Sequence, residues 1–451
     1  MSNCEKNMKY RLRQAVSNYA KPILVWARSN SFYFQNTLFY LIERLYAITL
    51  SFCVYLALAR GYGPEMLGQY SYVQTVMLFA APFLASGSEG IIVRDLVRQP
   101  ATTSEILGSA LVVLSVTGLF TAILPLVYVW FSRGNTAGFM SMALLTALGF
   151  VPMGFLVIEH YLKAHQDAAM ILLARAGSST LGAVAKFFFI YHHYPIQYVI
   201  GAAAVETFLL VAILFWAARG RVPLPQWRFS RPIARAIFEQ SFPGMIAAVA
   251  VTLFFRANHL LLAHFSDFES VGQYALAFQG IQMFLVVPAV AFGAIYPRLV
   301  QLHAIDRPKY DRIMRFLYLG FTATGYLLTV LCWLTSGWIF HMFFGERYEV
   351  ARQVFNVLAV ANIFNFSWQV RSRAIDLTNQ TRFHAWVGLI GLAVVTASSL
   401  FAIPRFGPLG AAWCVTLATA VAGVVTTAFL PGLRSDAIAQ AKAFLLIPPR
   451  K

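Results

Sequence analysis

Six ionisable residues interrupt stretches that are otherwise apolar: Glu43, Arg44, Glu89, Lys186, Glu206 and Arg256. In hydrocarbon such a charge costs about 2.5 to 3.5 kcal/mol even on a lenient scale, so each needs a partner or water. Two outcomes are open. The residues pair with one another, for instance Arg44 with Glu89 or Lys186 with Glu206. Alternatively Arg44, Lys186 and Arg256 face a wet cavity and neutralise an anionic ligand, while Glu43, Glu89 and Glu206 hold those cations in place or exchange protons. Arg256 is the strongest candidate, because Leu253-Phe-Phe-Arg-Ala-Asn-His sets it beside polar Asn258 and His259. Further on, Arg371-Ser-Arg-Ala-Ile-Asp puts Arg371 and Arg373 either where a phosphate enters the inner mouth of such a cavity or where they mark the inner side of a membrane.

Other chemistry is not signalled, and no enzyme activity, metal or cofactor is expected. There is no Gly-rich phosphate loop ending in Lys-Ser/Thr, no His-Glu-x-x-His and no Gly-x-Ser-x-Gly. His192 and His193 are neighbours on a helix end and point about 100° apart, a poor geometry for sharing a metal ion. The four cysteines are scattered and read as small apolar residues.

The elements that must carry these residues are membrane helices. Of 451 residues, 59% are hydrophobic and only 12% charged, about half the charged share of a soluble domain. Runs able to cross roughly 30 Å of hydrocarbon as helix fall at 34–58, 70–93, 106–131, 138–161, 170–191, 197–218, 240–264, 274–297, 316–341, 350–370, 384–403 and 408–430. A lipid-facing strand would leave backbone groups unpaired, so helices are the only sensible assignment. With the amino terminus inside, 27 Lys and Arg residues fall on the inner side against 5 on the outer. That bias supports twelve spans with both termini inside and explains the net charge of +17 without nucleic acid. The expected organisation is a basic inner tail at 1–31, a six-helix bundle at 32–218, an inner linker at 219–239 rich in Pro and Arg, a second bundle at 240–430 and an inner tail at 431–451. Trp130, Trp216 and Trp338 stand at helix ends as interfacial anchors, and Pro82, Pro152, Pro243 and Pro288 are candidate kinks.

The chain also repeats itself. Arg60-Gly-Tyr-Gly-Pro-Glu-Met-Leu-Gly-Gln-Tyr leads into an apolar run closed by Arg94. After 204 positions, Phe268-Glu-Ser-Val-Gly-Gln-Tyr leads into one closed by Arg298. Gly68-Gln69-Tyr70 thus match Gly272-Gln273-Tyr274, evidence for a duplicated bundle with a site between its halves.

With Leu58-Ala-Arg-Gly-Tyr-Gly-Pro-Glu-Met-Leu-Gly-Gln-Tyr-Ser-Tyr, Ile91-Ile-Val-Arg-Asp-Leu and Val271-Gly-Gln-Tyr-Ala-Leu-Ala-Phe-Gln, the sequence resembles the polysaccharide flippases of the MOP superfamily. The likeness is greatest to flippases of lipid-linked oligosaccharides for O-antigen or capsule. Gln166 and Gln380 resemble that family's repeated exit from the fourth and tenth helices. The resemblance spans nearly all of 32–430. It implies an all-α polytopic membrane protein with twelve helices in two pseudo-symmetric six-helix bundles around a central cavity that opens alternately to each side. It also implies an undecaprenyl-pyrophosphate oligosaccharide as cargo, a bacterial cytoplasmic membrane as location, and membrane lipids and other polysaccharide assembly proteins as partners. Contact with the carrier phosphates is carried only to Arg44, Lys186 and Arg256. A multidrug or cation exporter of the same superfamily would instead need carboxylates such as Glu43, Glu89 and Glu206 facing its cargo. An oligosaccharide polymerase would need a larger outer loop than these short turns provide.

Overall fold

The computed structural model describes residues 31–85, 88–133, 137–219, 226–377, 382–429 and 434–448. The basic tail expected at 1–31 lies outside them apart from Ser31, as does Gln380. Among the described residues there are helices and turns and no strand.

The helical stretch Ser31–Ala85 breaks at Gly63, whose φ of 78° is open to glycine at little cost, giving α1 (31–62) and α2 (64–85). Then follow α3 (Ser88–Arg98), α4 (Thr103–Arg133), α5 (Ala137–Leu148), α6 (Val157–Ala164), α7 (Ala168–Tyr191) and α8 (Ile196–Ala218). The second half holds α9 (Arg231–Phe265), α10 (Phe268–Gln282), α11 (Val286–Ile305), α12 (Arg307–Phe343) and α13 (Glu349–Leu377). Arg382–Ala420 breaks at Gly407 into α14 (382–406) and α15 (408–420). A π-helical turn, Val421–Val425, continues α15, and α16 (Arg434–Phe444) ends the described chain.

Nine of these stretches are long and apolar enough to cross a membrane among the described residues. Two of the nine are pairs joined across a glycine kink, and the more polar α13 completes the twelve-helix, two-bundle layout. The fold inverts the soluble rule. Large apolar side chains such as Val116, Leu119, Phe120 and Ile123 of α4 are exposed, while Thr75, Thr121, Asn258 and Asn362 are buried. An apolar belt of this kind requires lipid as solvent.

Local chemistry sets where helices begin and bend. Asp267 caps α10 by accepting the Ser270 N–H at 2.7 Å, and Asp306 caps α12 by accepting that of Lys309 at 3.0 Å. Pro152 lies in a 3-10 segment, Val151–Leu156, between α5 and α6, and Pro288 lies in the first turn of α11, just after another, Met283–Leu285. Pro82 and Pro243 sit inside α2 and α9 without ending them. Helix α9 starts at Arg231, inside the stretch expected as linker, with Pro232 in its first turn, where a missing N–H is harmless. Gln166 leaves α6 with a φ of 58°, the tight exit its position suggested.

The repeated turns meet each other. A Cβ at Gly68 would overlap the carbonyl oxygen of Phe268, and one at Gly272 would overlap that of Pro64. Phe268 is the repeat equivalent of Pro64, so each copy offers the other the same two residues, the reciprocity of a two-fold contact. Only glycine lets α2 and α10 approach backbone to backbone here.

A buried ion network, absent from the sequence reading, ties the other end of the first half. Glu159 of α6 is 2% exposed and bonds Lys163 at 2.9 Å and Arg175 at 2.9 Å; Lys163 also bonds Glu89 of α3 at 2.9 Å. Glu159→Ala would strand two cations, so its stability in detergent should fall by roughly 3 kcal/mol, seen as a lower melting midpoint.

In the second half α16 packs along α12. Gln440 donates to Ser367 Oγ at 2.9 Å and to the Gly423 carbonyl of the π-helical turn at 2.8 Å. Burial pushes the Asp436 carboxyl up to about 6, Asp311 adding to the rise and Tyr318 and Arg307 opposing it. The neutral acid is therefore the form that docks. Its contribution, roughly 3 kcal/mol, is full below about pH 4 and lost as pH rises through about 6. Hydrogen exchange at 434–444, corrected for intrinsic rates, should lose protection over that interval in the wild type but not in Asp436→Asn.

Candidate functional site

Directly beneath the crossing of Gly68 and Gly272 lies a cavity of about 430 Å³ between the halves. Helix α1 lines it with Ser51, Tyr55 and Leu58, α2 with Tyr70 and Gln74, α7 and α8 with Lys186 and Glu206, and α9 and α10 with Arg256 and Gln279. A second cavity of about 360 Å³ adjoins it towards the other end of the bundle, walled by Pro82 of α2 and by Val251 and Phe255 of α9. Leu78 and Arg256 belong to both, so the two form one crevice with Arg256 at the junction.

The candidate cations take three different positions. The Arg256 guanidinium stands 5.1 Å from the centroid of the Phe278 ring, and no carboxylate lies within 4 Å of it among the described residues. A cation held over an aromatic face stays oriented without being neutralised. Lys186 also lines the cavity, but its Nζ bonds Glu206 Oε2 at 2.6 Å. This is one of the two pairs that the sequence allowed. Arg44 is exposed and off both cavity walls. It nevertheless shares a helix face with Ser51, Tyr55 and Leu58, at i+7, i+11 and i+14, about 10 Å farther along α1 than Ser51.

The carboxylates are less concentrated. Glu89 bonds Lys163 rather than Arg44, because its place in α3 sets it against α6. Glu43 is half-buried and acts on Arg175. Arg371 is not at a mouth: it is fully buried within the second half, donating from Nη1 to the Ala422 carbonyl at 2.8 Å and to Thr426 Oγ1 at 2.8 Å. There it serves the π-helical turn, whose widened spacing leaves carbonyls unclaimed. Arg373 pairs with Asp376 at 3.3 Å, and His384 Nε2 bonds the same carboxylate at 2.8 Å.

The crevice is closed differently at its two ends. Beside the glycine crossing, Arg60 at the end of α1 donates to the carbonyls of Met342, at 2.9 Å, and Phe343, capping the last turn of α12. Tyr348 donates to the Ala59 carbonyl at 2.8 Å. Gln273 of the second repeat clamps the turn into α13, donating to the Arg347 carbonyl at 2.6 Å and accepting the Ala351 N–H at 2.9 Å. At the far end Ile92 and Leu96 of α3 share a buried apolar cluster with Ala234 and Ile237 of α9, and the polar side-chain link between the two helices is, among the described residues, one exposed hydrogen bond, Arg94 Nη2 to Gln240 Oε1 at 2.8 Å. Such a bond is worth about 1 kcal/mol.

Residues 33–303 match the family described as "Polysaccharide biosynthesis protein". No curated protein matches the chain in sequence. Among solved structures, the fold is similar to lipid II flippase MurJ in an inward closed conformation, at 12% identity over 91% of each chain with a TM-score of 0.66. It is similar to a multidrug resistance MATE family transporter of the MOP superfamily in an inward-facing conformation, at 16% identity over 90% of this chain and 95% of that one, with a TM-score of 0.63. An outward-facing MATE family transporter matches at 14% identity over 91% of this chain and 96% of that one, with a TM-score of 0.62.

Proposed function

Because this chain belongs to the polysaccharide biosynthesis protein family, we propose that it is a flippase that moves a carrier-lipid-linked oligosaccharide across a bacterial cytoplasmic membrane by alternating access, for surface polysaccharide such as O-antigen or capsule. The observation that carries this reading is the crevice between the halves with Arg256 standing in it, no carboxylate within 4 Å of it among the described residues. A sugar headgroup on phosphate cannot shed its water into hydrocarbon unaided. A polar crevice removes most of that barrier while the polyprenyl tail stays in lipid. Arg256 takes a phosphate, Arg44 meets it nearer the inner mouth, and Ser51, Tyr70, Gln74 and Gln279 meet sugar hydroxyls.

The Lys and Arg bias supports both termini inside, which makes the glycine crossing the outer gate and the Arg94–Gln240 end the inner one. Moving two negative charges outward against an inside-negative potential is favourable by about 5 kcal/mol per 100 mV. Cationic cargo suits this crevice poorly, since Lys186 covers Glu206 and Arg256 would repel it. The test is to delete the gene and extract lipids from the inner leaflet. Undecaprenyl-linked oligosaccharide should accumulate there, and its absence together with lost drug resistance would overturn the reading.

A further inference from the structure

We infer that Glu206 is a built-in competitor of the ligand for Lys186, an internal anion that holds down the crevice's affinity for a second phosphate so that cargo is released. This rests on the reading that the crevice takes a carrier-lipid phosphate, and it adds the means by which binding is kept reversible.

The pair is constructed rather than incidental. Lys186 and Glu206 come from different helices, and both line the cavity that Arg256 also lines. Glu206 reaches Lys186 only because its carboxylate lies on the backbone of α7 at Gly182, where any Cβ would overlap Glu206 Cγ, Cδ and Oε2. Gly182 is one helical turn from Lys186, so the notch seats the carboxylate directly beside the ammonium. The side chains of Lys186 and Glu206 remain 15% and 24% exposed, so an entering ligand can reach both.

Of the two cavity cations, Arg256 is therefore free of carboxylate while Lys186 is already occupied. A ligand with one phosphate is satisfied by Arg256 and leaves the Lys186–Glu206 pair alone. A ligand with two finds its second phosphate contesting Lys186 with a carboxylate that cannot leave. Repulsion between that phosphate and the Glu206 carboxylate, held at its seat on Gly182, then weakens the complex. A transporter benefits, since a site that held a diphosphate with both cations free would bind tightly and let go slowly.

The experiment uses the purified full chain with two probes of equal tail length, a polyprenyl diphosphate and a polyprenyl monophosphate, with binding read by native mass spectrometry. Glu206→Gln should tighten the diphosphate about tenfold and the monophosphate less than about threefold. Gly182→Ala, which pushes the carboxylate off its seat but keeps its charge, should move the diphosphate in the same direction. In a Lys186→Met background, Glu206→Gln should lose its selective effect. Equal or weaker diphosphate binding in Glu206→Gln, or the same gain with Lys186 absent, overturns the inference. Arg256→Ala separates the two readings. If it weakens both probes while Glu206→Gln does nothing, only the competitor falls; if it weakens neither, the anion site itself is wrong.

Discussion

Arg256→Ala should abolish surface polysaccharide while leaving normal amounts of protein in the membrane. A charge-assisted bond to a phosphate is worth about 1.5 to 3 kcal/mol, so headgroup affinity should fall by roughly 10- to 100-fold. The loss should exceed that of Arg44→Ala, because Arg256 joins both cavities whereas Arg44 lies off their walls. Arg256→Lys should restore part of the activity, keeping charge but losing the planar fork and its fit over Phe278. Complementing a deletion strain with each variant, and measuring polysaccharide against membrane protein level, decides the matter. Wild-type polysaccharide from Arg256→Ala would remove this residue from the site.

Gly68→Leu should be as damaging for a different reason. A side chain there runs into the Phe268 carbonyl, a backbone atom that cannot rotate away. Overpacking of this kind costs about 1 to 3 kcal/mol or more, and the cheapest relief is for α2 and α10 to part. The outer gate would then stand open, and transport should fall at least tenfold because one face of the cycle is lost. Ser51→Cys, in a chain whose four native cysteines are replaced, reports this directly. A membrane-impermeant maleimide added outside should label the introduced thiol several-fold faster in the Gly68→Leu background. Unchanged labelling with normal transport would mean that the crossing is not a gate. Gly272→Leu should behave alike, since its neighbour is the equivalent carbonyl of Pro64.

The helices were legible because the bilayer imposes a length. The duplicated turn was legible because Gly68 and Gly272 permit an approach open to no other residue, although nothing in the sequence said that the two copies touch. Side-chain direction was not legible. Arg44 and Arg256 sit in apolar runs of the same kind, yet Arg256 lines the crevice and Arg44 stands off it, a difference set by where along its helix the crevice ends rather than by composition. Arg371, Lys163 and Arg175 were counted as charges marking the inner side. Burial of Arg371 against the π-helical turn, and the pairing of Glu159 with Arg175 and of Lys163 with Glu89, depend on contacts between different helices. The Glu159 and Lys163 spacing of four, an i,i+4 pair on one helix face, is the sequence's own signal for this network. Helix α16 went unseen too, because its face is satisfied by hydrogen bonds from Gln440 as much as by apolar surface.

The reciprocal seating of Gly68 and Gly272 also bears on ancestry. A contact in which each half presents the same residues to the other is the contact two separate half-length chains would make as a homodimer. Six crossings per half return the chain to its starting side, so gene doubling and fusion would preserve that dimer without inverting either copy. The two copies differ at the site itself: the second carries Arg256, and its equivalent 204 positions earlier is Phe52. Expressed as two polypeptides split between 219 and 230, the halves should therefore find each other again through this ancestral seam.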